Sequence, residues 1–70
     1  MTQLNDVGQK VTNALLDDPS TKDAVIEVSN DRGILTLIGN VDSEETRQAA
    51  EEIARQQPGV ISVVNELKVQ

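Results

Sequence analysis

Apolar residues in the first part of the chain recur at Leu4, Val7, Val11 and Leu15, three and four positions apart, with Ala14 beside them. That spacing places one apolar stripe on a helix, predicted over 3–17 with Thr2 as its N-cap. Gly8 weakens the interior by about 1 kcal/mol relative to alanine. Asp17, Asp18, Pro19 and Ser20 end the element. From 24 to 29 the period falls to two: Ile26 and Val28 share one face, Glu27 and Ser29 the other, as in a half-buried strand. The polar run Asn30-Asp31-Arg32-Gly33 reads as a hairpin loop on a type I turn, closed by a positive φ at Gly33. A second strand follows over 34–41. It sets Leu35, Leu37, Gly39 and Val41 on one face and Ile34, Thr36, Ile38 and Asn40 on the other.

After Val41 the period returns to that of a helix. Asp42 and Glu45 stand at capping-box spacing, and Thr46, Ala49, Ala50, Ile53 and Ala54 form a stripe of mostly small residues. Pro58 and Gly59 stop this second helix, Gly59 by taking the left-handed cap. The last strand runs over 60–69, with Val63, Asn65, Leu67 and Val69 on one face and Val64, Glu66 and Lys68 on the other. The order is αββαβ. A hairpin followed by a βαβ unit with a right-handed crossover gives a mixed three-stranded sheet. The expected class is α+β, a two-layer α/β sandwich with both helices on one face, and 1–70 form one domain.

Gly39 interrupts the best apolar run on its inward side. A glycine there marks a bulge or a close backbone approach. The alanine-lined second helix supplies a reason: it, or the strand's bulged exit, crosses the sheet near residue 39, and Gly39→Val costs on the order of 1 to 3 kcal/mol by overpacking.

Composition narrows the chemistry. Twenty residues are Val, Ile or Leu and five are Ala, while Phe, Tyr, Trp, Cys and His are absent. There is no disulfide framework, ordinary zinc site or thiol nucleophile, and Ser20, Ser29, Ser43 and Ser62 lack the usual base. No cofactor motif appears, and an enzyme is not expected. A formal charge of −6 without aromatic rings argues against nucleic acid, and it repels an anionic lipid surface unless basic residues cluster. The N-terminus carries neither a signal peptide nor a membrane span. The chain as written is expected in the cytoplasm, and in the periplasm or envelope if it is a domain cut from a longer exported protein.

The helix-one residues Val7, Val11 and Leu15, "IEV" at 26–28, "GILTLIGNV" at 33–41, Ala50 with Ile53-Ala54, and "PGVISVVNELKV" at 58–69 together resemble the BON domain, the module of bacterial OsmY and nodulation proteins. The resemblance spans nearly the whole chain. It implies a non-enzymatic αββαβ binding or adaptor domain associated with phospholipid binding, envelope maintenance or osmotic stress, whose partner is a phospholipid or a membrane-associated protein. One relative is similar to a potassium-binding protein. A potassium site made of backbone carbonyls would leave no mark on the side chains.

Gly33, Gly39 and Gly59 lack nucleotide-loop spacing and are structural. Asp17, Asp18 and Asp23 lack EF-hand spacing and suit capping and solvation. Glu44 with Arg47, and Glu51 with Arg55, are exposed helix pairs. Asn65 falls on the inward face, where its amide either bonds loop or helix-end backbone and fixes register, or lines a ligand pocket. Val25, Ile34, Ile38 and Val64 fall on the open sheet face and suit an interaction surface. With it comes the alternative of a cytoplasmic protein-interaction domain that homodimerises there. For a lipid partner, Arg32 in the hairpin is the first contact residue.

Overall fold

The structure, a computed structural model, describes residues 7–70, so Thr2 and Leu4 lie outside the described residues. Its elements are α1 (Val7–Asp17), β1 (Val25–Asp31), β2 (Ile34–Val41), α2 (Glu44–Arg55) and β3 (Ser62–Val69). The sheet order is β1-β2-β3. β1 pairs antiparallel with β2, from Asp31↔Ile34 to Val25↔Asn40, and β2 pairs parallel with β3, from Ile34↔Ser62 to Val41↔Val69. Fold class and element order are those the periodicities predict.

The core is aliphatic and one-sided. Val11 and Leu15 of α1, Ala50 and Ala54 of α2, Leu35, Leu37 and Val41 of β2, and Leu67 of β3 are buried together. Ile26, Val28, Ile53 and Val63 pack around them. The small residues Ala50 and Ala54 let α2 pack closely on a sheet whose covered face is aliphatic apart from Gly39 and Asn65 among its β2 and β3 positions, with no ring to keep the layers apart. The even-numbered positions of β2 and β3, and the odd-numbered ones of β1, point to the uncovered side. Val69, on the inward face by parity, is half exposed at the end of the sheet.

Besides the start of β3 at Ser62 rather than at 60, and the end of α2 at its Gln56 cap rather than at Gly59, three local features differ from the sequence-based expectation. The hairpin loop is shorter: Asp31 pairs with Ile34, leaving only Arg32 (φ 56°) and Gly33 (φ 94°) in the turn. Two positive φ values in a two-residue loop define a type I′ turn, whose twist matches the strands better than type I does. β1 therefore extends two residues beyond 29, and the Asn30 Oδ1 accepts the Gly33 N–H at 3.0 Å. The cap of α2 is Ser43, not Asp42. Its extended backbone lets Oγ accept the Thr46 N–H at 3.2 Å, whereas Asp42 is exposed.

The third difference concerns Gly39. No helix atom is among the three nearest to a Cβ built there: they are Val25 O, Ile26 Cα and Val25 C, all backbone of β1. Gly39 has φ 148°, which would throw a side chain into the neighbouring strand, with the Val25 oxygen inside contact distance. The close approach is real, but it comes from the hairpin partner. Gly33 is crowded differently: a Cβ there would lie 2.8 Å from the Ile61 side chain and 3.0 Å from Gly59 O. At Gly59 the added atom would meet a Val7 methyl at 2.7 Å, so α1 rests on that turn.

Thr21, in the polar run after α1, carries no signal in the sequence, yet it is 1% exposed. Its Oγ1 donates to Leu15 O at 2.6 Å and satisfies a carbonyl at the end of α1. Asp18 organises the same loop: its side chain accepts the Ser20 N–H at 2.8 Å, and its carbonyl accepts from Thr21 and Lys22.

Candidate functional site

The uncovered sheet face is built from three strands in register, so its side chains fall into four rows. At the hairpin end stands Asp31–Ile34–Ser62; then Ser29–Thr36–Val64, Glu27–Ile38–Glu66 and Val25–Asn40–Lys68. All four residues assigned to an interaction surface are exposed there, Val25 at 85% and Ile38 and Val64 at 41% each. They do not form one block. Ile34 and Ile38 stand on the central strand with Thr36 between them, Val64 flanks Thr36 on β3, and Val25 is a diagonal neighbour of Ile38. Ile38 is bracketed in its own row by Glu27 and Glu66. The face is an apolar strip framed by three carboxylates, with Lys68 as its basic residue.

The six basic residues do not converge on this face. Arg32, 94% exposed at the hairpin tip, has Nε 3.8 Å from the Asp31 carboxylate. Lys68 lies at the other end, opposite Asn40. Six residues of strand separate the two rows, roughly 20 Å at the usual rise. Arg47 and Arg55 are on α2, paired with Glu44 and Glu51. At the Val25 end a concavity of about 560 Å³ lies between the loop after α1, the start of β1, the end of β2 and the start of α2. Asp23, Glu27 and Asp42 line it beside Val25, Ile38 and Thr46.

Asn65 is fully engaged on the covered side. Its Nδ2 donates to Arg47 O and to Glu51 Oε1, both at 3.1 Å, and its Oδ1 accepts the Leu67 N–H at 3.0 Å. The partners are the body of α2 and its own strand rather than a loop or helix end. Arg47 also does more than pair with Glu44: its Nε donates to Leu67 O at 3.2 Å, a role that an i,i+3 spacing does not signal.

Among the described residues, no three His, Cys, Asp or Glu side chains stand together in a way that would hold a metal ion, and no buried side-chain nitrogen or oxygen lacks a partner. Among them, too, no helix is long and apolar enough to cross a membrane. No curated protein sequence matches the chain. One family model, described as BON domain, matches residues 3–70. With that match covering essentially the whole length, and the αββαβ order and mixed sheet in place, the chain belongs to the BON domain family.

Proposed function

We propose that this domain is a non-catalytic docking module that binds a partner protein across the open face of its sheet, the partner offering an apolar strip flanked by Lys or Arg. The family is one of non-catalytic binding domains, generally linked to phospholipid binding and stress. The observation that carries the reading is the third row of the face: Ile38, 41% exposed, between Glu27 and Glu66. An apolar contact rimmed by charge is the anatomy of a protein interface, and the acidic rim selects a basic partner. The same rim works against a second copy, since two such faces bring carboxylates together, and against an anionic bilayer.

A second reading, contact with phospholipid headgroups through Arg32, is favoured by the family link and by the exposure of that guanidinium at the hairpin tip. Two experiments separate them. In an NMR titration, an alternating leucine–lysine peptide is expected to shift Ile34, Ile38 and Val64 more strongly at low salt, and Ile38→Asp is expected to abolish the effect. Shifts confined to other surfaces would defeat the docking reading. Co-sedimentation with anionic liposomes that disappears in Arg32→Glu, but survives Ile38→Asp, would establish the lipid reading instead. A dimer dispersed by Ile38→Asp would assign the face to a second copy of the chain.

A further inference from the structure

β3 is an edge strand, paired only with β2 among the described residues. In a parallel pair, alternate residues turn both backbone polar groups toward the neighbour, and those between turn them away. Ser62 N and Gln70 N reach Gly33 O and Val41 O at 3.3 and 2.9 Å, so the even-numbered residues of β3 address β2. The odd-numbered ones, Val63, Asn65, Leu67 and Val69, address the free edge. At Leu67 both groups are already taken by side chains. The Asn65 carbonyl oxygen holds its N–H and the Arg47 Nε holds its C=O, while Asn65 is itself anchored to α2 by two further bonds.

The residue so covered is the centre of the register in which β3 best matches itself. A two-fold antiparallel pairing about Leu67 puts Glu66 opposite Lys68 of a second copy and Lys68 opposite its Glu66. Moving the centre one residue either way opposes Glu66 to Glu66 or Lys68 to Lys68. In the favourable register Leu67 faces its own counterpart as the hydrogen-bonded pair and needs both the N–H and the C=O that are occupied. We propose that β3 is a self-complementary edge for a second copy of this chain, held closed by the clasp of Asn65 and Arg47 on Leu67. Natural sheets protect exposed edges with charges and bulges, and here two side chains saturate the edge directly.

Sedimentation equilibrium of the combined variant Asn65→Ala/Arg47→Ala, with circular dichroism to verify the fold, tests this. The variant is expected to dimerise at least about tenfold more tightly than wild type. Adding Lys68→Glu is expected to weaken that dimer by about tenfold, because both opposite-charge pairs become like-charge pairs. A further Glu66→Lys, which swaps the two charges, is expected to restore it. A folded variant that stays monomeric, a dimer indifferent to Lys68→Glu, or a wild type that dimerises as tightly overturns the proposal. Should the combined variant fail to fold, Asn65→Leu/Arg47→Met fills the space of both side chains without polar atoms and frees the N–H and the C=O of Leu67 alike. It is expected to dimerise with the same dependence on Lys68, and a folded, monomeric form of it overturns the proposal equally.

Discussion

An alanine at residue 39 would press its methyl against the carbonyl oxygen of Val25, because Gly39 holds φ 148° in the middle of a strand. Backbone strain of this kind costs roughly 1 to 3 kcal/mol, so Gly39→Ala is expected to lower unfolding free energy by about that amount. Urea denaturation followed by far-UV circular dichroism measures it, the chain having no aromatic reporter. A midpoint equal to wild type would show that the strand relaxes at no cost. Had α2 been the crowding element, alanine would fit nearly as well as glycine and only larger residues would be penalised. The sequence announced that residue 39 tolerates no side chain, yet concealed the cause. Which residue lies opposite 39 depends on turn length, and Asn30-Asp31-Arg32-Gly33 is equally polar whether the loop takes two residues or four. The same ambiguity limits the candidate site. Parity alone puts Val25, Ile34, Ile38 and Val64 on one face, but their staggering, and the flanking of Ile38 by two glutamates, follow from a register that only the turn and the crossover fix.

Among the elements, β2 was legible to the residue because alternation, a preceding glycine and a following polar run all mark the same limits. Helix ends were less so. Asp42 and Ser43 are both good caps, and the choice of Ser43 rests on its extended backbone (φ −152°, ψ 162°) rather than on residue type. Thr21 gave no signal at all, since a threonine within Asp-Asp-Pro-Ser-Thr-Lys-Asp looks like any loop residue. Its hydroxyl nonetheless satisfies the Leu15 carbonyl inside the protein. Thr21→Val keeps the shape and removes the donor, so it is expected to destabilise by about 1 to 3 kcal/mol, the penalty of an orphaned buried acceptor. Serine at the same position should recover most of the loss. A valine variant as stable as wild type in the same denaturation assay would mean that water reaches Leu15 and that the tie is incidental.

At the level of the molecule, the covered and uncovered sides of the sheet differ in make-up: one holds an economical aliphatic core, the other carries the acid-framed strip. The sheet is also asymmetric along the chain. Pairing partners in β1 and β2 are between 3 and 15 residues apart, whereas every partner in β2 and β3 is 28 apart. Local closures lose less chain entropy than distant ones. The hairpin is therefore expected to assemble early on the folding route and β3 to dock late, with α2 as the bridge that shortens the search. Truncations in β3, such as Val63→Ala, should chiefly accelerate unfolding, while Val28→Ala should slow refolding, as stopped-flow φ-values would report. The reverse pattern would mean that α2 and β3 nucleate the domain. During that delay β2 has only one of its two neighbours, so the interval before β3 arrives is when a growing or refolding chain is most open to capture by other molecules.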